Sequence, residues 1–250
     1  MSVSGRDLAS VVDRLARAAR VTVLTGAGVS AASGVPTFRG AGGLWKQYRP
    51  EELATASAFA SDPRLVWEWY DWRRQLIARC EPNAAHRVLA AWARRFPNYA
   101  VITQNVDGLH ERAGLDAVTR LHGSIWEVLC WDRCKGSPRR WRDETVPLGE
   151  IPPRCPHCGG LVRPGVVWFG EPLPPDAVVA ADNATDCDVF ITAGTSAVVY
   201  PAAGYLGGAR ARGAFTVEIN PEATPATDVV NVALRGPAEE VLPAIEQLLE

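Results

Sequence analysis

The sequence predicts an α/β fold in which a doubly wound parallel sheet carries helices on both faces and a smaller module is inserted. Three observations predict it. Short apolar runs recur along the chain, each run leads into a polar or glycine-rich loop, and amphipathic helical stretches lie between them. This alternation is typical of open parallel sheets, in which ligands bind beyond the carboxyl ends of the strands. We therefore expect the loops that follow the strands to line one site.

The first helix and the first strand lie at the start of the chain. Residues 7–20 place their apolar side chains on one face at helical spacing. The β-branched run of residues 21–25 predicts a buried strand, and it ends at Gly26-Ala27-Gly28. A glycine turn after such a strand lets the backbone approach a diphosphate.

The rest of the chain repeats this pattern with one interruption. Helices are predicted over residues 62–80, 83–96 and 237–249, and strands over 99–103, 188–193 and 215–219. Between residues 123 and 163 the apolar periodicity weakens and Pro, Arg and Cys dominate, which indicates a module that burial alone cannot hold together. We predict a Rossmann-like domain built from 1–40, 87–122 and 166–250, and a small helical and zinc-binding module built from 41–86 and 123–165.

Composition excludes several classes of partner. The chain has 250 residues, is 47% hydrophobic and carries a formal net charge of -2. A core of useful size is therefore expected, but no field strong enough to favour nucleic acid or an anionic membrane. No secretory signal and no run of about 18 apolar residues is visible, so the cytoplasm is the expected compartment. In that reducing compartment the six cysteines are not expected to form a disulfide framework.

Four of the cysteines have the pattern of a zinc ribbon. Cys155 and Cys158 have the C-x-x-C spacing, whereas Cys130 and Cys134 are separated by one residue more. Two pairs on turns supply four thiolates at tetrahedral geometry, and four protein ligands leave no open position for catalysis. The sequence therefore predicts one structural zinc ion. The other two cysteines, Cys80 and Cys187, are interpreted as small buried apolar residues.

The glycine loop alone is a weak indicator of function. Residues 26–31 fit the dinucleotide pattern G-x-G-x-x-A directly after a strand. A dehydrogenase of this type also needs an acidic residue about 20 residues further on, at the end of the second strand. Glu51 and Glu52 lie there but follow no predicted strand. Simple hydride transfer is therefore disfavoured.

Longer strings resemble those of the sirtuin family, in family order and across nearly the whole chain. They are Gly26 to Gly40, Thr103 to His110, Leu121 to Ser124, Val167 to Glu171, Gly194 to Ser196 with Tyr200 to Ala203, and Asn220 to Glu222. The resemblance implies an NAD-binding domain, a zinc-bearing domain and a cleft between them. It also implies transfer of an acyl group from a lysine side chain to the ADP-ribose of NAD, with release of nicotinamide. Acylated-lysine proteins or peptides are the implied partners, and a monomer is expected.

His122 matches the catalytic histidine of the family. In the reaction that the resemblance implies, the substrate amide oxygen attacks the ribose carbon that bears nicotinamide, and a base then deprotonates a ribose hydroxyl. A histidine suits this step because its ordinary pKa of about 6.5 lies near neutral pH. Asn105 is the second residue that the resemblance assigns to catalysis. Of the other histidines, His86 is interpreted as structural, His110 as orienting a neighbour, and His157 lies between two of the predicted zinc ligands.

The resemblance places the NAD contacts on the strand-end loops. Asn105 and Asp107 are expected on the nicotinamide amide and the ribose, with Gln104 on a ribose hydroxyl. Arg39 is expected to steady the diphosphate, and Phe38 to shield the site from water. The full predicted set is Gly26, Ala27, Gly28, Ser30, Ser33, Pro36, Thr37, Phe38, Arg39, Trp45, Gln104, Asn105, Val106, Asp107, Gly194, Thr195, Ser196, Asn220, Pro221, Glu222 and Ala238.

Tyr70 and Arg73 have two interpretations. They are three residues apart on a predicted helix and share a face, so Arg73 could be the surface arginine of an amphipathic helix. The favoured interpretation is that Tyr-x-x-Arg resembles the sirtuin branch that removes succinyl and malonyl groups. A guanidinium pairs with a carboxylate as a fork, and a phenol adds a third donor. Arg74, on a different face, is expected to tolerate substitution. Val167, Trp168, Phe169 and Gly170 are predicted to bind substrate with this pair.

Other functions stay open at this point. A plain protein deacetylase and a mono-ADP-ribosyltransferase would use the same NAD site. A catalytically silent NAD or ADP-ribose sensor is disfavoured, because binding alone needs no base at His122. A zinc-ribbon module that only binds other proteins is also disfavoured, because it would not account for the polar and glycine-rich loops at the strand ends.

Overall fold

The structure is a computed structural model, and it describes residues 4–38, 44 and 49–250. Two of the predicted NAD contacts, Arg39 and Trp45, lie outside the described residues.

Nine strands in the described ranges form two sheets. They are β1 (Arg20–Thr25), β2 (Asn98–Thr103), β3 (Thr119–Arg120), β4 (Gly123–Cys130), β5 (Trp141–Arg142), β6 (Val162–Val166), β7 (Val189–Ala193), β8 (Phe215–Ile219) and β9 (Val232–Leu234). The larger sheet has the order β3-β2-β1-β7-β8-β9, and all its neighbouring strands are parallel. The smaller sheet is antiparallel, with β4 between β5 and β6.

The order of the larger sheet is that of a doubly wound dinucleotide-binding fold, so the predicted fold class is confirmed. The order in which strands are added reverses between β1 and β7, which are parallel neighbours in the sheet but far apart in sequence. After these two strands the chain continues on opposite faces of the sheet, and such a switch point opens a crevice at its carboxyl edge. A site at this edge is therefore built into the topology.

The helices cover both faces of the larger sheet and support the smaller one. They are α1 (Gly5–Ala16), α2 (Pro50–Leu53), α3 (Ala56–Ser61), α4 (Pro63–Ala78), α5 (Ala84–Arg95), α6 (Leu109–Arg112), α7 (Pro175–Ala184), α8 (Gly204–Ala211) and α9 (Ala238–Leu249). One core packs α1, α5 and α9 against the sheet, and another packs α7 and α8 on its opposite face. None of these described helices is both long and apolar enough to cross a membrane.

A separate core joins α2, α3 and α4 to the smaller sheet. Trp67 on α4 donates a hydrogen bond from its indole nitrogen to the backbone oxygen of Val162 on β6, at 2.7 Å. The ring of Phe59 on α3 lies 4.9 Å from that of Trp131 and 5.4 Å from that of Trp168. The two segments that the sequence assigns to the small module therefore share one core, which also includes Trp168 from the segment assigned to the larger domain.

Candidate active site

A cleft of about 890 Å³ lies at the carboxyl edge of the larger sheet, between that edge and α4 with the loop after β6. Its volume is within the range of small-molecule sites. The loops after β1, β2, β7 and β8 all reach it, as the sequence predicts. The predicted residues on its wall are Gly26, Ala27, Gly28, Thr37, Phe38, Tyr70, Arg73, Gln104, Asn105, Val106, His122, Val167, Trp168, Phe169, Gly170, Gly194, Thr195, Ser196, Asn220, Pro221, Glu222 and Ala238.

The glycines of the first loop are required by the neighbouring loop. The backbone nitrogen of Gly28 donates a hydrogen bond to the carbonyl oxygen of Gly194, at 2.8 Å. A Cβ on Gly26 would lie 2.7 Å from that oxygen, and a Cβ on Gly28 would lie 2.7 Å from the Cα of Gly194. Gly194 itself has a left-handed φ of 59°. The glycine pattern thus allows the loops after β1 and β7 to touch, whatever ligand lies above them.

His122 lies between β3 and β4 on the cleft wall. Its Nδ1 lies 3.0 Å from the backbone oxygen of Gln104. A carbonyl oxygen can only accept, so Nδ1 carries the proton and Nε2 keeps its lone pair. Burial lowers the pKa of His122 below its usual value, and the hydrogen bond to Gln104 opposes this only in part. The ring is therefore an oriented, neutral base at pH 7.

Asn105 is almost fully buried at the bottom of the cleft. Its side-chain nitrogen donates to the backbone oxygen of Gly26 at 3.0 Å and to Oγ of Ser30 at 3.3 Å. Ser30 in turn donates to the carboxylate of Asp107, at 2.8 Å. With both amide hydrogens directed into the protein, the side-chain oxygen of Asn105 remains available as an acceptor.

Four predicted NAD contacts lie behind the wall of the cleft. Ser30 and Asp107 form the buried hydrogen bonds described above. Oγ of Ser33 accepts a hydrogen bond from the side chain of Asn83, at 3.0 Å. Pro36 lines a separate small hollow beside α4. For these four residues, direct contact with NAD stays a prediction.

Hydrogen bonds join the strand-end loops at the other end of the cleft. The side-chain nitrogen of Asn220 donates to the backbone oxygen of Thr195 at 2.8 Å. Gln104 donates to the hydroxyl oxygen of Thr195 at 2.9 Å. The backbone nitrogen of Glu222 donates to the side-chain oxygen of Asn220 at 3.2 Å. The loops after β2, β7 and β8 therefore form one connected surface.

Tyr70 and Arg73 lie on the cleft-facing side of α4, and both are buried. The guanidinium of Arg73 lies 4.8 Å from the ring centre of Phe38 and 4.9 Å from that of Trp69. Across residues 4–38, 44 and 49–250, no carboxylate forms an ion pair with it. Burial lowers the pKa of Arg73 from its ordinary value. The interpretation of Arg73 as a surface arginine is therefore wrong.

The hydroxyl of Tyr70 is oriented by its neighbour. Its oxygen accepts a hydrogen bond from the indole nitrogen of Trp168, at 3.0 Å. The ring of Trp168 packs against Arg163, whose guanidinium lies 3.6 Å from the ring centre. The same guanidinium forms an ion pair with Glu171. Glu171 also accepts from the backbone nitrogen of Trp168, at 2.9 Å. Burial raises the pKa of Tyr70, so its hydroxyl stays protonated and can donate.

Sequence reasoning missed several wall residues. Trp69 contributes its ring beside Arg73, and Leu173, Val178 and Val199 supply apolar surface. The neighbourhood of Tyr70 could have indicated Trp69. Leu173, Val178 and Val199 gave no signal, because only tertiary contacts bring them to the cleft.

The expectation that Arg74 tolerates substitution is at odds with its surroundings. Its side chain is fully buried, with Nε donating to the backbone oxygen of Ile125 at 2.8 Å. One terminal nitrogen lies 3.7 Å from the carboxylate of Asp143. The face of α4 that carries Arg74 is covered by the smaller sheet, so this residue is part of the interior.

The four predicted zinc ligands come together. The sulfur atoms of Cys130, Cys134, Cys155 and Cys158 all lie within 4.8 Å of one another. The sulfur atoms of Cys130 and Cys158 are 3.7 Å apart, and those of Cys134 and Cys155 are 3.9 Å apart. Tetrahedral Zn–S bonds of about 2.3 Å require a spacing of about 3.8 Å between sulfur atoms. The extra residue between Cys130 and Cys134 is accommodated by a left-handed φ of 50° at Arg133. The cluster fits a structural zinc ion.

Comparisons with known proteins agree with this architecture. The model of the Sir2 family matches residues 26–201. An NAD-dependent protein deacylase of Aquifex aeolicus is 52% identical over 230 residues, which are 92% of this chain and 95% of the relative. A mutant Sir2 homologue in complex with ADP-ribose superimposes with a TM-score of 0.91 at 46% identity, covering 96% of this chain and 95% of the other.

A further solved structure, of Sir2 with a p53 peptide and NAD+, gives a TM-score of 0.84 at 32% identity. The match covers 95% of this chain and 96% of the other. The sheet order, the strand-end loops around His122 and the four-cysteine cluster thus occur together with family-level similarity along most of the chain. The chain belongs to the Sir2 family.

Proposed function

We propose that this protein is an NAD-dependent protein-lysine deacylase that prefers succinyl- and malonyl-lysine, with acetyl-lysine as a further substrate. The acyl group is transferred to ADP-ribose and nicotinamide is released. Membership of the Sir2 family supports the reaction, as do the relative named NAD-dependent protein deacylase and the neighbours bound to ADP-ribose or to a peptide with NAD+. The acyl preference rests on one observation: the guanidinium of Arg73 is buried in the cleft, and no carboxylate among the described residues forms an ion pair with it.

NAD is proposed to lie along the strand-end loops. Its diphosphate crosses the joined loops after β1 and β7, and its adenosine ribose reaches Ser196, Asn220 and Glu222. The nicotinamide end lies toward Asn105, whose free side-chain oxygen can accept a hydrogen bond. These assignments extend the family resemblance to residues that line the cleft.

His122 is proposed to deprotonate a ribose hydroxyl. Because Nδ1 is engaged by Gln104, only Nε2 can accept that proton. The lowered pKa keeps the ring neutral at pH 7, which is the form that a general base needs. Zinc is proposed to act only through the fold, since its four thiolate ligands leave no open position.

The acyl group is proposed to enter between Tyr70 and Arg73. A buried guanidinium without a counter-ion is unfavourable, so an occupant that brings a carboxylate stabilises it. The hydroxyl of Tyr70 has an oxygen already engaged by Trp168, so its proton can be donated to the same carboxylate. A succinyl or malonyl group offers that carboxylate, and an acetyl group does not.

The test is a panel of succinyl-, malonyl- and acetyl-lysine peptides incubated with NAD and analysed by mass spectrometry. Charge-assisted hydrogen bonds contribute about 1.5–3 kcal/mol each. Arg73→Met should therefore lower kcat/KM on succinyl-lysine about ten- to a hundred-fold. On acetyl-lysine it should fall much less, because no carboxylate contact is lost.

Arg64→Met is the matched control. Arg64 lies on the same helix, is exposed and pairs with Glu68 on the surface. This variant should leave both activities unchanged. Equal losses on both peptides in Arg73→Met would make Arg73 structural, and a wild type that prefers acetyl-lysine would contradict the acyl preference. Nicotinamide release that needs no acyl-lysine peptide would favour ADP-ribosyl transfer instead.

The domain division, the oligomeric state and the compartment are proposals as well. Segments 41–86 and 123–165 are proposed to form one small domain, because they share the aromatic core. The protein is proposed to act as a monomer on acylated proteins, without nucleic acid or membrane partners. A reducing cytoplasm is proposed, because four of the six cysteines come together as candidate zinc ligands, a use typical of thiols in that compartment.

A further inference from the structure

A carboxylate is buried directly beneath one of the strand-end loops. Glu218 lies on β8 and is 2% exposed. Its neighbours Val217 and Ile219 pack into the core on one face of the sheet, so Glu218 points to the other face. Its two oxygens accept hydrogen bonds from the hydroxyls of Thr224 and Thr227, the latter at 2.6 Å.

An arginine completes this arrangement, and we refer to Glu218, Thr224, Thr227 and Arg235 as the Glu218 cluster. Arg235 donates to Glu218 at 3.1 Å and to the hydroxyl oxygen of Thr227 at 2.6 Å. The same guanidinium donates to the backbone oxygen of Glu222 at 2.8 Å. One ion pair, between a buried carboxylate and a partly exposed guanidinium, is therefore bonded both to side chains and to the main chain of the loop.

The loop backbone is bonded to the cluster at further points. The backbone nitrogen of Thr224 donates to the hydroxyl of Thr227 at 2.9 Å. The backbone nitrogen of Ala226 donates to the hydroxyl of Thr224 at 3.0 Å. The polar side chains of segment 220–227 are thus bonded around Glu218, while Ala226 packs into the apolar core.

The outer surface of the same segment forms the wall of the cleft. Asn220 to Pro225 line it, whereas Glu218, Thr227 and Arg235 do not. A change at Glu218, Thr227 or Arg235 would therefore reach a ligand only through the shape of the loop. The buried carboxylate of Glu218 needs an explanation beyond stability, since an ion pair that buries a charge often stabilises a fold no more than apolar residues of similar volume.

We propose that the Glu218 cluster is a positioning device for the cofactor. It holds segment 220–227 in the shape that binds the adenosine ribose, so that Glu218, Thr227 and Arg235 set the affinity for NAD without lining the cleft. This inference rests on the proposed function, in which Asn220 and Glu222 contact that ribose. Glu218 and Arg235 are accordingly positioning residues.

Two variants test the proposal. Glu218→Gln keeps the shape of the side chain but replaces one acceptor oxygen with a donor that faces other donors. Thr227→Val removes one hydroxyl from the centre of the cluster at nearly constant volume. The measurements are the dissociation constant of ADP-ribose by calorimetry, KM for NAD, kcat at saturating NAD, and the thermal midpoint Tm.

We expect the dissociation constant of ADP-ribose and KM for NAD to rise about tenfold in Glu218→Gln and at least threefold in Thr227→Val. We expect kcat at saturating NAD and KM for the acyl peptide to stay within about twofold of the wild-type values. Thr227→Val is the milder change, so it keeps the test informative if Glu218→Gln folds poorly.

Asp188→Asn is the matched control. Asp188 also pairs with an arginine, Arg20, and accepts two backbone hydrogen bonds at 2.9 Å. It immediately precedes β7, at the amino edge of the same sheet and so at the end opposite the cleft. This variant should leave the affinity for ADP-ribose unchanged even if it lowers Tm.

Three outcomes would contradict either the proposal for the Glu218 cluster or the proposed function. If both cluster variants lower Tm but leave the affinity for ADP-ribose unchanged, the cluster is only structural. If Asp188→Asn weakens ADP-ribose equally, the effect is a general loss of stability and the proposal fails. If the wild type itself does not bind ADP-ribose, the proposed function fails first, and this is distinguishable because it requires no variant.

Discussion

Nδ1 of His122 donates a hydrogen bond to the backbone oxygen of Gln104 across 3.0 Å. The contact joins the loop after β3 to the loop after β2, so the tautomer of the ring is set by the same loop that carries Asn105. A base fixed in this way needs no rearrangement before it accepts a proton. Its protonation state should determine how activity depends on pH.

The pH dependence of kcat/KM should show an acidic limb with a pKa below 6.5. Burial lowers the pKa of His122, so the ring becomes neutral, and active, as the pH rises through that value. Activity on acyl-lysine peptide would be measured from pH 5 to 8. His122→Ala should lose about 10²–10⁴-fold in turnover and the acidic limb with it, while ADP-ribose binding persists. An acidic limb centred above 6.5 would contradict the assignment.

Zinc should be present at one equivalent per chain and should be needed for folding. Cys155 and Cys158 supply half of the cluster, and Cys155→Ser should abolish most zinc binding. Chelation should lower Tm and remove activity together, because metal-binding energy is folding energy in such sites. Metal content would be measured by mass spectrometry and folding by circular dichroism. Cys80→Ser, outside the cluster, should retain zinc. A folded and active metal-free protein would refute the prediction.

Gly194→Ala should destabilise the protein by about 2 kcal/mol or more. Its Cβ would lie 2.4 Å from the backbone nitrogen of Val29, and its φ is left-handed. ADP-ribose binding should weaken too, since the loops after β1 and β7 would separate. Gly207→Ala is the control, because that position on α8 has nothing within 4 Å of a Cβ and should gain about 0.5–1 kcal/mol. Urea unfolding distinguishes the two, and equal effects would count against the loop contact.

Arg74→Ala should destabilise the fold by about 2–4 kcal/mol, although its neighbour Arg73 is the residue assigned to substrate. The substitution removes the hydrogen bond to Ile125, leaves Asp143 without its partner and opens a cavity. The free energy of unfolding in urea is the measurement. Arg64→Ala, on the exposed face of the same helix, should leave it nearly unchanged. Similar values for the two variants would mean that the smaller sheet does not cover Arg74.

The sequence predicts the longer strands well because each shows two features together: a run of apolar residues that becomes buried, and a polar or glycine-rich segment that ends the strand. β1, β2, β7 and β8 each bury several successive residues and then end in a loop. β3 and β9 have two and three residues, too few to show a pattern. α8 escapes prediction because Gly204, Gly207 and Gly208 lower its helix propensity, and only packing against the sheet makes it helical.

The candidate site also has parts that the sequence could predict and parts that it could not. The strand-end loops could be predicted, because parallel strands bring their carboxyl ends to one edge whatever the side chains are. Which residues lie behind the wall could not, since Ser30 and Asp107 belong to hydrogen bonds that form only in the folded chain. The burial of Arg74 could not be predicted either. Helical periodicity separates it from Arg73, but nothing in the periodicity says that the smaller sheet covers its face.

The adjacency of β1 and β7 also constrains when the cleft can form during synthesis. Val21 pairs with Val189, so the first strand waits for a neighbour that is translated near the end of the chain. Until Gly194 has left the ribosome, Gly26 and Gly28 have no opposing loop and the diphosphate end of the cleft does not exist. A nascent chain that has passed Cys158 but not Gly194 carries all four zinc ligands but not the complete site for the cofactor. Zinc should therefore be acquired before NAD on the way to the active protein.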